Sequence, residues 1–395
     1  MRIAVACDEY CARVGNRYFL RDFGHTLTRR YLMAFDKIRL IVRTFDKDDI
    51  DDCGKFNIEV LDNRIEIYPI PFFRGPFQYL KQYTKVRKNL KGALKNCDAA
   101  IFRLPSTTGF AVWCEDRKQN LPYAVELVYD CKDGYINCRG LKKYLWWRMH
   151  RKQVKACKHA IGMAPVTSGY LQSHYSPDRT LIQSHYSSVE MTDDFFFQPR
   201  NFPDKKSLTF VHVANQVQFR GRKGHEDVIS AVKILREKGI PISVTFVGEN
   251  YDNGIEKLKE YAKALKIEDS INFTGFLSSS SVRDVLLKSD IAILPTRAEG
   301  LPRVIIEAMA VGLPCITTNV SGNPELIEKE FLFDYGNVEA IVSIVERLAS
   351  DKVLYQETSR QNFIKSLEFK KEILDGRRKE FYNKIRNYIE SHRKN

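Results

Sequence analysis

The densest chemical information in the sequence is a pair of acids, Glu299 and Glu307, with seven residues between them inside Thr296-Arg-Ala-Glu-Gly-Leu-Pro-Arg-Val-Ile-Ile-Glu-Ala-Met-Ala-Val-Gly-Leu-Pro-Cys-Ile-Thr-Thr-Asn-Val-Ser-Gly-Asn-Pro-Glu325. From Val304 to Val311 every residue except Glu307 is apolar, so this carboxylate sits against a core, and burying it without a partner is costly. A carboxylate accepts two hydrogen bonds side by side, which matches a vicinal diol such as the 2′,3′-pair of a ribose. Pro302 suits the first turn of a helix, and Gly312 followed by Pro314 ends it, so Glu307 rides on a short buried helix. The start of that helix, Gly300 to Arg303, presents free backbone N–H groups and a partial positive charge, which together suit a phosphate. Glu299 precedes it, at the carboxyl end of the strand Asp290–Pro295, where open α/β sheets bind ligands.

These groups need strand–loop–helix units to position them, and the sequence supplies such units. From Leu208 onward, short β-branched runs (Leu208–Ala214, Ile242–Gly248, Ile271–Thr274, Asp290–Pro295, Pro314–Thr318) alternate with helical segments (His225–Glu237, Ile255–Leu265, Ser280–Leu287, Pro302–Val311). That alternation predicts a parallel sheet covered by helices on both faces. The first half repeats the theme with strands Arg2–Ala6, Ile38–Arg43, Ala99–Arg103, Tyr123–Val128 and His159–Met163, and helical stretches Arg17–Ala34 and Phe77–Leu94. Phe195–Lys206, with two prolines and no periodicity, reads as a linker. The expected fold class is therefore α/β, with two doubly wound, Rossmann-like domains facing a cleft. Their expected bounds are 1–198 and 199–368, followed by a charged amphipathic helix, 369–395, that packs back on the first domain.

Composition narrows the class. A chain of 395 residues, 44% hydrophobic and 28% charged, supports a large core and excludes a disulfide-stapled miniprotein or a disordered chain. No stretch reaches the roughly 18 uncharged apolar residues of a spanning helix. The N-terminal Met-Arg-Ile-Ala-Val-Ala-Cys meets Asp8 and Glu9 at once, so it reads as a buried strand and not as a signal peptide. The nine cysteines are scattered without zinc-site spacing, and reduced thiols in a cytoplasm are the plain reading. Lys and Arg number 63 against 49 Asp and Glu, a net charge of +14 that suits nucleic acid, an anionic membrane surface or phosphorylated substrates.

Glu299 to Pro314, together with Lys223-Gly224, Phe273-Thr-Gly-Phe276, Ser289-Asp-Ile-Ala-Ile-Leu-Pro-Thr296 and Ser321-Gly-Asn-Pro-Glu-Leu-Ile327, resembles the signature of the retaining GT-B glycosyltransferases of family 4, the glycosyl transferases group 1. The likeness covers roughly 208–348. It implies that Glu307 holds the nucleotide ribose, that Glu299 with the amides of Gly300 and Leu301 beside Pro302 holds the donor sugar, and that Lys223 contacts the diphosphate. Family members place an arginine five residues before this lysine; Gln218 stands there, and Arg220 or Arg222 is the expected substitute. The base is gripped by backbone around Gly275, Phe276 and Leu277, without telling uridine from guanosine. The donor is a UDP- or GDP-sugar, no metal or other cofactor is needed, and attack comes from the face that the leaving diphosphate vacates. In the first half the family's glycine pair after the first strand is replaced by Cys7-Asp-Glu-Tyr-Cys11, and its histidine after the strand at 123–128 is missing. Asp130 is the expected polar group near the reacting sugar, with Glu126 as the alternative, and Phe102–Ser106 is expected to line the cleft.

The implied activity is hexosyl transfer, with retention, to a saccharide or lipid-linked saccharide acceptor, as in capsule, exopolysaccharide or lipopolysaccharide assembly. The enzyme would be cytoplasmic or peripheral on the inner face of the membrane. Alternatives on the same fold are a nucleotide-sugar epimerase, an inverting transferase or a non-catalytic sugar-nucleotide-binding subunit. Asp46-Lys-Asp48 matches a metal-binding D-x-D pattern but falls in the acid-rich run Asp46–Asp52, which reads as an exposed loop. Lys142–Lys158 carries seven basic residues, no acid, and Tyr144, Trp146 and Trp147. Such a helix either lies on an anionic membrane or packs Leu145, Trp146 and Met149 inward beneath a solvated basic face. No motif supports nucleic-acid binding.

Overall fold

The computed structural model describes residues 1–46, 56–136, 138–175, 182–204 and 207–392. The chain divides into two compact units, Met1–Tyr186 with Asp375–Asn395, and Ser187–Leu374.

The first unit is built on strands β1 (Arg2–Val14), β2 (Arg17–Leu20), β3 (Lys37–Asp46), β4 (Ile58–Glu59), β5 (Ile65–Pro71), β6 (Ala99–Leu104), β7 (Tyr123–Leu127), β8 (Gly162–Pro165) and β9 (Ile182–Gln183). Its parallel core runs β5-β3-β1-β6-β7-β8-β9, and β2 and β4 extend it antiparallel. The helices are α1 (Asp22–Leu32), α2 (Gly75–Lys81), α3 (Tyr83–Leu90), α4 (Thr107–Gln119), α5 (Cys131–Ile136), α6 (Gly140–Lys158) and α7 (Tyr170–His174). Strands buried on both faces read as apolar runs, and Ile3–Ala6 and Ile101–Phe102 are at most 1% exposed.

Three expectations for this unit are corrected. The first strand does not stop at Ala6; it continues past a register shift between Ala6 and Tyr10 to Val14. Arg17–Leu20 is a strand and not the start of a helix, because a two-residue turn, with Gly15 at φ 59°, folds it back so that Phe19 faces Ala12. The stretch 77–94 is two helices, α2 and α3, broken at Gln82.

The second unit is a parallel sheet in the order β12-β11-β10-β13-β14-β15, formed by β10 (Leu208–Val217), β11 (Ile242–Asn250), β12 (Ile271–Gly275), β13 (Ile291–Leu294), β14 (Cys315–Thr318) and β15 (Leu332–Phe333). Its helices are α8 (His225–Glu237), α9 (Gly254–Ala264), α10 (Ser279–Lys288), α11 (Arg303–Ala310), α12 (Val338–Ser350) and α13 (Lys352–Ser366). The stretch read as a linker packs into this unit through residue 204. Phe197 N–H donates to Ala310 O at 3.0 Å, Arg200 Nε donates to Val311 O at 2.8 Å, and the Phe202 and Tyr355 rings meet edge to face.

The last helix, α14 (Lys371–His392), belongs to the first unit from Asp375 on. It buries Phe381, Tyr382, Ile385 and Ile389 and sends Arg386 to the Ala34 carbonyl at 2.8 Å. Among the described residues no helix is long and apolar enough to cross a membrane.

Candidate active site

In the second unit the loops after adjacent strands β10 and β13 converge. The reason is local: Gly224 has φ 59°, and a Cβ there would lie 2.3 Å from the Pro295 carbonyl, so only glycine lets the Lys223 loop lie against the end of β13. That approach brings the Lys223 ammonium onto the Glu299 carboxylate as an ion pair, with side chains 19% and 15% exposed. Thr296 Oγ also reaches Glu299 Oε1 at 3.4 Å.

The backbone under the pair is held from both sides. Ser321 Oγ accepts from Glu299 N–H at 3.2 Å, and Gly322 N–H donates to the Gly300 carbonyl at 3.1 Å. Asn323, fully buried, fixes that buttress by donating to Thr317 Oγ1 and the Thr318 carbonyl, both at 2.9 Å. On the other side His212 Nε2 donates to the Lys223 carbonyl at 2.8 Å. His212 and His225 are fully buried, with ring centroids 4.5 Å apart; burial lowers their pKa values to about 4 and about 2. Neutral rings at this spot let the loop close beside the Lys223 charge. The sequence resemblance did not single out His212, Thr296 or Ser321 for these roles. Ser321 lies in a matched motif, but nothing in its type announces a backbone acceptor.

Glu307 rides on α11, whose Ile305, Ile306 and Met309 are at most 1% exposed, each contributing about 1.5–3 kcal/mol of burial. Burial pushes its carboxyl above the usual range and Arg303, one turn earlier, pulls it back only in part. Among the described residues no protein group hydrogen-bonds this side chain. Pro302 is the N-cap of α11 and no side chain caps the helix, with buried Gly300 and Leu301 just before its start. Gly312 closes the helix at φ 77°, where a Cβ would collide with the Gln198 carbonyl at 2.1 Å.

Arg220 and Arg222 are exposed on the loop before Lys223; Arg220 N–H donates to Glu226, and the Arg222 carbonyl accepts from Arg297 N–H at 2.9 Å. Gly275, at φ 74°, Phe276, 60% exposed, and Leu277 lie at the end of edge strand β12 on the same side of the sheet as these loops.

The acids of the first unit are placed differently. Asp130 has no exposed surface. Its oxygens accept from Lys132 N–H at 2.7 Å and from the Tyr175 hydroxyl, and His174 Nδ1 lies 2.9 Å away. Direct contact of Asp130 with a sugar is thus precluded in this arrangement, whereas the His174 side chain keeps 30% exposure. Glu126, 2% exposed, accepts from the hydroxyls of Tyr31, Tyr186 and Tyr382 at 2.6–2.9 Å and from Arg103 at 2.8 Å. Burial raises its pKa, but Arg103 and the three hydroxyls outweigh that and hold it below the ordinary value. Where the family has a glycine pair, Asp8 instead accepts from Thr107 and Thr108 N–H at 3.0 and 3.2 Å, filling the start of α4. Of the D-x-D candidate, Asp46 is paired with Arg13 at 2.8 Å, and Lys47 and Asp48 lie outside the described residues.

Residues 192–366, nearly all of the second unit, match the family described as glycosyl transferases group 1. Over 364 residues the chain is 26% identical to protein CapJ of Staphylococcus aureus, covering 92% of this chain and 90% of that one. It is 29% identical over 339 residues to TuaC of Bacillus subtilis, a putative teichuronic acid biosynthesis glycosyltransferase, covering 80% and 78%. Among solved structures, sucrose-phosphate synthase from Thermosynechococcus elongatus superposes with a TM-score of 0.73 at 13% identity over 98% of this chain and 100% of that one. The second unit thus resembles the glycosyl transferases group 1 in sequence, and nearly the whole chain has the α/β, GT-B fold of its structural neighbours.

Proposed function

We propose that this protein is a retaining hexosyltransferase that moves a sugar from a UDP- or GDP-sugar to a saccharide acceptor, carried on a lipid, in cell-surface polysaccharide synthesis such as capsule or lipopolysaccharide. The observation that carries the reading is the Lys223–Glu299 ion pair just before the uncapped start of α11, together with the unpartnered Glu307 one turn into that helix. The likeness to TuaC, named as a putative teichuronic acid biosynthesis glycosyltransferase, supports the polysaccharide assignment. The reaction belongs on the cytoplasmic side, at the inner face of the membrane, where a lipid-linked acceptor meets a soluble donor.

In this reading Glu307 accepts both ribose hydroxyls, and Gly275–Leu277 border the base. The ammonium of Lys223, one of Arg220 or Arg222, and the amides of Gly300 and Leu301 before Pro302 receive the diphosphate and sugar. The ion pair with Glu299 keeps Lys223 in place before the donor arrives. The bond from the anomeric carbon to the diphosphate oxygen breaks as the acceptor oxygen bonds on the same face, and the acceptor proton passes to the departing diphosphate. Preorganised positive charge on the leaving group lowers that barrier, so the scheme calls on no metal. Asp130 acts through His174, orienting its ring, and not on the sugar itself.

The test is a thermal-shift panel of UDP-, GDP-, ADP- and CMP-sugars on wild type and Glu307→Ala, with any stabilising donor followed to free nucleotide. One base family should stabilise the wild type alone and be slowly hydrolysed. No shift with any donor overturns the reading, and binding without hydrolysis or transfer favours the non-catalytic subunit.

A further inference from the structure

We infer that the outward face of α6 docks the protein on an anionic phospholipid surface. The inference deepens the proposed reading by giving a lipid-linked acceptor a place to be met, and it rests on that reading only for the acceptor.

The helix has two sides. Its inner side is fixed to the first unit: buried Gln153 donates to the Tyr129 carbonyl at 2.7 Å and accepts from Cys131 N–H at 2.9 Å. The Tyr123 hydroxyl donates to the Ala156 carbonyl at 2.9 Å, and Ala156 and Cys157 are at most 1% exposed. Trp146 lies flat on α5, so close to Gly134 that a Cβ there would approach its ring to 2.4 Å. The helix is therefore a rigid part of the surface.

The outer side carries exposed Tyr144, Trp147, Arg148, Arg151, Val154 and Lys155, which recur at three- and four-residue steps and form one stripe. Apolar groups that a solvated surface would normally hide are prominent in and beside it: Leu141 is 65% exposed, Tyr144 50%, and Trp147 and Val154 39% each. The Tyr144 and Trp147 rings stack at 5.8 Å, with Arg148 over Tyr144 at 5.8 Å and Arg151 over Trp147 at 5.0 Å. Among the described residues, Lys142, Lys143, Arg148, Arg151, Lys152 and Lys155 form no ion pair, and α6 contains no acid.

Unneutralised cations interleaved with exposed aromatic rings on one rigid face match the two layers of a bilayer interface, anionic headgroups outside and acyl boundary beneath. A merely solvated basic face has no need of two stacked rings in water. A nucleic acid would also accept the charge, and the experiment separates it.

The full-length protein is sedimented with vesicles of equal parts phosphatidylglycerol and phosphatidylcholine, and with phosphatidylcholine alone. Wild type should bind the anionic vesicles in low salt and weaken as salt rises. Lys142→Gln, Lys143→Gln, Arg148→Gln and Arg151→Gln combined should weaken binding about a hundredfold or more, at about fivefold per cation near an anionic surface. Tyr144→Ser with Trp147→Ser should weaken it about tenfold and remove what survives in high salt. All six side chains lie outside the transferase machinery, so donor-induced thermal shifts should match wild type and report that the variants are folded. Equal partitioning of wild type and both variants, equal binding to neutral vesicles, or tighter binding to a DNA duplex than to anionic vesicles overturns the inference. None of these outcomes bears on donor binding.

Discussion

Burial works against the charge of both Glu126 in the first unit and Glu307 in the second, yet their surroundings shift them in opposite directions. Glu126 accepts from three tyrosines and Arg103, and its charge is held on. Glu307 has only Arg303 to oppose the effect of burial, and its charge is disfavoured until something else supplies donors. The helix starts show the same contrast. In the first unit Asp8 and Ser106 occupy the amides at the start of α4, while α11 in the second has no side-chain cap. A satisfied carboxylate holds a fold together, and an unsatisfied one keeps its acceptor oxygens to spare.

The comparison breaks first on stability. Glu126→Ala strands the largely buried Arg103 and should cost about 3 kcal/mol in urea denaturation, whereas Glu307→Gln removes a disfavoured charge and should leave stability level or slightly higher. Equal costs for the two variants would erase the distinction.

Acid sharpens it next. His212 and His225 have folded pKa values lowered to about 4 and about 2, so below pH 6.5 the unfolded chain binds protons that the folded one refuses. Their contribution is complete above pH 6.5 and falls as pH drops, by about 1.4 kcal/mol per unit for each ring between 6 and 4. Asp116 in the first unit, pushed up to about 7 by burial, takes its proton before the unfolded chain does. Its contribution is present below the ordinary carboxylate range and is lost as pH rises through 7. Denaturation of His212→Phe/His225→Phe at pH 7.5 and 5 should show a flatter acid decline than wild type.

Ligand binding follows. Glu307→Gln should weaken the stabilising donor about thirtyfold by calorimetry, the loss of about 2 kcal/mol from charge-assisted bonds to a diol. Glu126→Gln, if folded, should leave donor affinity unchanged. The smallest effect expected is at the caps: Ser106→Ala should cost about 1 kcal/mol, while no capping bond exists to lose at Pro302.

The same contrast explains what could be read from the chain. In the second unit short β-branched strands alternate with helices that each have their own period, so α8 falls on His225–Glu237 as expected. In the first unit the decisive facts are pairings distant in sequence. Arg17–Leu20 becomes a strand only because β1 runs on to Val14 to receive it, and Gly15-Asn16 is the one local hint. β5 carries Pro69 and Pro71, which local propensity sets against a strand; it lies at the edge of the parallel core, paired to β3 alone, where prolines are tolerated. Lys223, Glu299 and Glu307 were legible from motif and context. The groups that hold them, His212, Ser321 and Asn323, were not, since a side chain that braces a backbone carbonyl or amide leaves no spacing rule behind.

The return of α14 to the first unit has a consequence for how the polypeptide is made. The core there is missing Phe381, Tyr382 and Ile385, and Glu126 is short of one hydroxyl, until α14, made after the whole of the second unit, leaves the ribosome. The second unit, continuous from Ser187 to Leu374, can close first, so the order of maturation runs against the order of synthesis.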